Sequence, residues 1–285
     1  GHEVAFAQFL LPFAAPSDYA LNLDSAPALR CEENEHSITV DGGHFSLVFD
    51  KLYGVIDSWS YHGFGLFKTG PKLLFWRAPI DNDRNIQREW RKAGLDQLTH
   101  RVDQCRITAV EPKAVKWEVQ VRIAPPTSER AIICRYEYTL YATGDLILEV
   151  SGTPVGEFPM LPRIGLEMTL PKELEHFSWY GRGPGECYCD SKLANPVGVY
   201  KATVDELFTP YISPQDNGNR TDVRWVAATN VRGMGLLACG RPLINFSAHR
   251  YSQDDLDRAT HHHLLVPRDC IYFHLDYRHH GLGSN

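Results

Sequence analysis

The chain has no excess of positive charge, no long apolar run and little helical periodicity, and each absence removes a class of function. Lys and Arg total 29 against 35 Asp and Glu, a net charge of −6 at pH 7, so no basic field gathers phosphates or anionic lipid. Nucleic acid and membranes are poor partners. Hydrophobic residues make up 43% of the chain, yet none of the uninterrupted apolar runs approaches the roughly 20 residues that cross a bilayer. The first ten residues, GHEVAFAQFL, carry Glu3 and lack the basic start and small-residue cleavage site of a secretory signal. Paired metal spacing is missing too: the seven cysteines are an odd number, and Cys187 and Cys189 stand on alternate positions, a poorer ligand arrangement than Cys-x-x-Cys. They read as free thiols rather than a disulfide framework or metal site, and the expectation is a soluble chain of the reducing cytoplasm.

What the chain does have is alternation. Apolar residues recur at every second position in VAFAQF (4–9), SITV (37–40), HFSLVF (44–49), WEVQVRI (117–123), ICRYEYTLYA (133–142) and YFHLDY (272–277), the pattern of strands with one buried and one wet face. Asp41-Gly42-Gly43, Thr143-Gly144-Asp145 and Asn217-Gly218 punctuate the runs, so consecutive strands are expected to pair antiparallel through short connections. Ile86 and Trp90, four apart among charges with Gly94 beyond, predict a short amphipathic helix over 84–94. A second is predicted from Ser252, placed to cap donors near Asp255, through Leu256 and Ala259 toward His263. Neither helix can supply a main core, and the fold class is all-β.

A chain of 285 residues buries a sizeable core as one large domain with a short appendage. Residues 10–30, with three prolines, many small residues and no sustained period, read as a linker. The predicted division is an appended strand in 1–13, a linker over 14–30 and the main domain over 31–285.

Six phrases are distinctive as a set: WRAPIDND (76–83), WYGRGPGECYCD (179–190), TPYISPQDNGNR (209–220), NFSAHRYSQDDL (245–256), THHHLL (260–265) and HLDYRHHGLGSN (274–285). In this order they resemble the C-terminal region of the large β-galactosidases of glycoside hydrolase family 2. The resemblance implies an antiparallel supersandwich of the kind also seen in galactose mutarotases, two extended sheets face to face, with residues 1–13 as the last strand of a preceding immunoglobulin-like domain. It implies a parent enzyme that hydrolyses terminal β-D-galactosides such as lactose with retention, using two carboxylates roughly 5 Å apart. In the family these are glutamates of a barrel domain beside a magnesium site, with sodium assisting, and no position here matches their motifs. No catalytic residue, metal ligand or cofactor is therefore expected in this chain, which alone should be inactive. Its expected partners are the remaining domains of the parent, a galactoside and further copies of the enzyme in an oligomer. The family also reaches its active site with a residue just beyond the phrase that ends at Asn285, and the cysteines of CYCD (187–190) depart from what other members often carry.

Read as chemistry, Arg77, Asp81, Asn82 and Asp83 offer a donor fork and several acceptors suited to sugar hydroxyls. Equally, Asp83 caps the next helix, Asn82 makes a turn and Arg77 pairs with a carboxylate. In WYGRGPGE the glycines and Pro184 present Arg182 and Glu186 from a stiff loop, which either positions an acid or seals the end of a sandwich. Trp179 stacks on a pyranose or belongs to the core. Gln215, Asn217 and Arg220, with Arg250 and Tyr251, form a further polar group expected to line one end, with the arginines packing against a domain interface. His176, His249, His274 and His261–His263 raise the alternative of a stand-alone aldose 1-epimerase, whose ring opening needs a base and an acid. The triplet also suits a helix C-terminus. A noncatalytic sugar-binding domain and a natural small subunit complete the alternatives.

Overall fold

Period-two alternation is realised as sixteen strands among the residues described in the computed structural model, 4–13 and 21–283. They are β1 (Arg30–Glu33), β2 (Ser37–Asp41), β3 (Phe45–Asp50), β4 (Val55–Tyr61), β5 (Phe64–Gly65), β6 (Thr69–Leu74), β7 (Thr99–Glu111), β8 (Ala114–Ala124), β9 (Ala131–Tyr141), β10 (Leu146–Val155), β11 (Arg163–Leu170), β12 (His176–Arg182), β13 (Val197–Thr203), β14 (Arg220–Thr229), β15 (Gly235–His249) and β16 (Ile271–His279). Twelve form one sheet in the order β1-β2-β3-β4-β6-β11-β16-β15-β14-β12-β13, with β5 folded onto β4, and β10-β9-β8-β7 form the other. The chain leaves the large sheet after β6, builds the small sheet as a meander and returns in β11. Strand β16 then closes the middle of the large sheet between β11 and β15, which places the segment after His279 at the centre of one end.

The sheets meet through their alternate residues. Val115, Trp117, Val119, Val121 and Ile123 of β8 and Ile132, Tyr136, Tyr138 and Leu140 of β9 are buried. Phe49 of β3 stands edge-on to Trp117 and Tyr138 at 5.5 and 5.2 Å between centroids. The Leu73 N–H donates across the interface to the Tyr136 hydroxyl at 3.0 Å. Each large apolar side chain buried this way contributes about 1.5–3 kcal/mol relative to exposure. In the other half of the large sheet, Phe177, Phe246 and Phe273 form an aromatic cluster. Glu167, His274 and Ser247 occupy one register row across β11, β16 and β15. The all-β reading holds, and the helices are short: α1 (Ile86–Lys92), α2 (Val204–Leu207) and α3 (Gln253–Arg258).

Several local expectations are corrected. Residues 4–13 form no strand. The Gln8 amide of this segment donates to Val197 O and accepts from Val197 N, both at 2.7 Å, at the β13 edge. Residues 14–20 of the expected linker, like 1–3 and 284–285, lie outside the described residues. Asn217-Gly218 closes no hairpin, because β14 pairs with β12 and β15 and the dipeptide sits in the connection from α2. The helix expected over 84–94 is α1, stopped where Gly94 turns left-handed (φ +72°). Ser252 does cap α3 by accepting from Asp255 N, but the helix ends at Ala259. The histidine triplet therefore lies beyond it, His261 extended and His262–Leu264 a separate 3-10 turn, so the reading as a helix C-terminus fails.

Candidate functional site

Arg77 lies three residues beyond the end of β6 and is fully buried. Its neighbour Trp76 packs edge-on to Trp90 of α1, which turns the arginine inward beneath the loop. There Nε and Nη2 donate to Asp83 at 3.1 and 2.9 Å, while Nη1 donates to His280 O at 2.8 Å and Nη2 to Gly281 O at 3.0 Å. Asp83 also accepts from Ile80 N. It is thus not the cap of α1, whose N-cap Asn85 receives no side-chain bond. The reading of Arg77 as a carboxylate partner is the one realised, and its remaining donors clamp the segment after β16. Asn82 adds a bond to Leu282 O at 2.6 Å and Asp190 accepts from Gly283 N at 2.6 Å. WRAPIDND, CYCD and HHGLG are one strapped assembly.

Beneath the strap lies a second set of charges. Arg163 of β11 meets Asp276 of β16 at 3.0 Å and stands 4.0 Å from Asp216. Asp216 accepts from the Tyr188 hydroxyl at 2.9 Å and faces His279 Nε2 at 3.2 Å. All five are buried. Burial pushes the Asp216 carboxyl up, but His279, Arg163 and Arg77 outweigh it and hold it well below the usual carboxylate range. The overlying loops are tied together by Asp216 N to Ala78 O at 3.1 Å, Ala78 N to Gln253 Oε1 at 2.7 Å and Asp81 N to Gln215 Oε1 at 3.0 Å.

Glu186 is committed rather than poised. Its carboxylate accepts from the Tyr211 hydroxyl and from Gly218 N at 2.9 Å, which fastens the 183–190 loop to the 208–219 connection. Asn217 fixes the same connection by accepting from Thr209 N at 3.0 Å. Gly218 must be glycine: its φ is +72°, and a Cβ would stand 2.7 Å from Leu207 O. Gly218→Ala is expected to cost about 1–3 kcal/mol through this backbone strain, read as a lower urea midpoint at unchanged slope. Arg182 reaches Asp222 at 2.6 Å and two loop carbonyls. Trp179 belongs to the core, fully buried against Phe246 and beneath Arg220, and it offers no face to a ligand. Burial brings Arg220 down to about 10.

The group expected to gather Arg250 and Tyr251 with Gln215 and Arg220 is divided. Arg250 pairs with Asp205 at 2.9 Å and Glu175 at 2.7 Å; Tyr251 packs on Phe208. Nor do the histidines converge on an open site: His249 and His274 are wholly buried, and burial takes His249 down to about 3. The open hollow at this end is a cleft of about 280 Å³ whose walls include Asp81, Arg84, Gln87, Gln215, Asp257 and Arg258. Both carboxylate oxygens of Asp257 accept from Arg91 Nη2, at 2.7 and 3.0 Å. Beside the cleft, His262 N donates to Ile212 O at 3.1 Å, and the Ile212, Leu264 and Val266 side chains are exposed. Among the described residues no group of three or more His, Cys, Asp or Glu is arranged to hold a metal, and the cysteines are free.

Sequence reasoning missed Arg163, Tyr188, Asp216, Asp276, His279 and Gln253. Asp216 and His279 lay inside quoted phrases, but period two does not distinguish a polar residue that faces inward from one that faces water, and Arg163 stands in no quoted phrase.

Fold and site define an all-β domain whose polar end is a loop-built, internally bonded wall beside a shallow cleft. The chain belongs to the β-galactosidase family: the family model described as beta galactosidase small chain matches residues 41–285. It is 35% identical over 292 residues to a β-galactosidase of Priestia megaterium and 32% identical over 300 residues to one of Vibrio cholerae, in each case across 100% of this chain. A β-galactosidase of Pseudoalteromonas haloplanktis is 31% identical over 281 residues, across 90% of the chain. The chain spans 27%, 28% and 25% of the length of these three relatives.

Proposed function

We propose that this chain is the C-terminal domain of a retaining β-galactosidase that hydrolyses terminal β-D-galactosides such as lactose, with the bond-breaking carboxylates in the remainder of the enzyme. The domain would brace the catalytic barrel and wall the rim of the sugar pocket. The observation that carries this reading is the strapped end: Arg77, Asn82 and Asp190 lock the 280–283 segment beside a polar cleft, while Glu186 has both oxygens occupied. Rigid walls of this kind position a substrate without acting on it. Asp81, Gln215 and Arg258 supply the mixed donors and acceptors that a galactoside rim needs. Ile212, Leu264 and Val266, 75%, 54% and 75% exposed, supply an apolar contact for the barrel. The magnesium and sodium that the family resemblance implies would be held by the remainder; among the described residues no group of three or more His, Cys, Asp or Glu is placed to hold a metal. A cytoplasmic oligomer completes the proposal.

A chromogenic galactoside assay tests it. The purified chain is expected to show no turnover, and the remainder of the enzyme supplied as a second polypeptide is expected to restore it. Turnover by the chain alone that survives repurification and disappears in Glu186→Gln sinks the reading. In the reconstituted pair, Ile212→Glu is expected to weaken association at least about tenfold, the cost of roughly 1.4 kcal/mol at an apolar contact, with the urea midpoint of the chain unchanged. Association unaffected by the charge would place the barrel on another face.

A further inference from the structure

The outer faces of the two sheets differ in kind. On the small sheet one register row runs Arg106, Glu118, Glu137 and Glu149 across β7, β8, β9 and β10. Its charges are paired: Glu118 lies 2.5 Å from Arg106 and 2.6 Å from Arg135, which also reaches Glu137 at 2.9 Å. That face suits water. On the large sheet the row Val199, Tyr180, Trp225 and Cys239 crosses β13, β12, β14 and β15 without a charged member. The next row adds Ala227 and Leu237 beside Ser178 and Lys201. These side chains point away from the core, because they alternate along their strands with buried Trp179, Val226 and Ala228. Val199 is 63% exposed and Leu237 62%. Lys201 and Arg224 rim the patch, the Arg224 guanidinium 5.0 Å from the Tyr180 centroid. Apolar residues adjoining across four strands inside a cationic rim mark a protein contact, where the same residues scattered singly would not.

The chain itself indicates what covers this face. Strand β13 is the last of the large sheet, and Gln8 is bonded to both backbone groups of its Val197, two positions from Val199. The segment so tethered exposes Val4, Phe6, Phe9, Leu10, Leu11 and Phe13, with Phe9 at 83% and Leu10 at 95%. Apolar area of this extent gains by leaving water, and the sheet beside it has room for a neighbour. One body seated at the β13 edge covers the segment and the face together. Such a body is available in the relatives, since the chain spans 27% and 28% of the length of two of them.

We infer that the domain of the parent enzyme that takes up residues 4–13 also seats on the outer face of β13, β12, β14 and β15, with Val199, Tyr180, Trp225 and Leu237 as its apolar floor. The inference rests on reading the chain as one domain of a larger enzyme. None of the four residues takes part in the strapped polar end, so this contact is additional to the one made there.

Cys239 stands in the same row, is exposed and carries a free thiol, which makes it the probe. Its labelling by a maleimide, followed by peptide mass spectrometry, is compared between the 285-residue chain and the intact parent enzyme. Labelling in the parent is expected to be slower by about tenfold or more, as for a group reached only through local opening. Equal labelling in the two overturns the inference. The occupant is identified in the parent with Val199 replaced by the photo-crosslinker p-benzoylphenylalanine. Crosslinks are expected within one subunit, to the domain that encloses residues 4–13. Crosslinks to a domain that does not touch that segment overturn the inference. So do crosslinks between light and nitrogen-15-labelled subunits of a mixed assembly, which would assign the face to a second copy. Galactoside turnover by the same parent is read in parallel. Turnover with an open face overturns this inference alone, and a covered face without turnover upholds it while the proposed function fails. The thiol measurement uses unmodified protein, so a crosslinker variant that fails to fold does not remove the test.

Discussion

Arg77→Met is expected to destabilise the chain by about 3–5 kcal/mol, the cost of removing one partner from a buried ion pair. The substitution keeps most of the side-chain volume but leaves Asp83, 2% exposed, without its guanidinium and the carbonyls of His280 and Gly281 without their donors. Arg77→Lys should recover only part of the loss, because a single ammonium cannot span two carboxylate oxygens and two carbonyls as the planar fork does. The double variant Arg77→Met with Asp83→Leu should be less damaged than Arg77→Met alone, since the stranded charge is gone. Recovery stays incomplete because Ile80 N also loses its acceptor. Urea midpoints at constant slope read all three. If the single variant lost less than about 1 kcal/mol, the range of a surface pair, the strap would owe its position to something other than this arginine.

How much of this was legible in the sequence depended on whether a strand has one wet face. Strands β8 and β9 carry regular alternation between hairpin turns; β8 was read a few residues short at both ends, and β9 two residues late at its start and one residue long at its end. Strand β15 was not read, because Gly240 and Pro242 interrupt it in the way that usually marks a loop. Strand β11, RIGLEMTL, sits inside the sheet between β6 and β16. Its charged members Arg163 and Glu167 find partners on the neighbouring strand, so polarity there does not mean water. The site divides the same way. Arg77 and Asp83 are six residues apart and their pairing was foreseeable. Arg163, Asp216 and Asp276 come from three distant segments whose meeting depends on β16 entering the middle of the sheet, a topological fact that no local pattern carries. Trp179 was ambiguous for a related reason: a strand aromatic looks the same whether it faces a ligand or Phe246.

Trp117→Ala is expected to cost about 3–5 kcal/mol, as for a large aromatic removed from a core that relaxes only in part. The indole lies between the sheets, stacked on Tyr138 with centroids 4.9 Å apart and 5° between planes, and edge-on to Phe49. Its removal takes away one wall of each contact. Trp117→Phe should be far milder, and the reason is specific to this site. The Trp117 Nε1–H is buried without a hydrogen-bond partner, so the native residue already bears the cost of a desolvated donor, about 1–3 kcal/mol. Phenylalanine gives up part of the stacking surface but also deletes that donor, and the two effects oppose each other. Thermal and urea unfolding of both variants are expected to place Trp117→Phe within about 1.5 kcal/mol of the unmodified chain, the range of a tolerated hydrophobic exchange. If phenylalanine proved as costly as alanine, the indole nitrogen would have to be satisfied by a buried water, and the contact between the sheets would be partly polar.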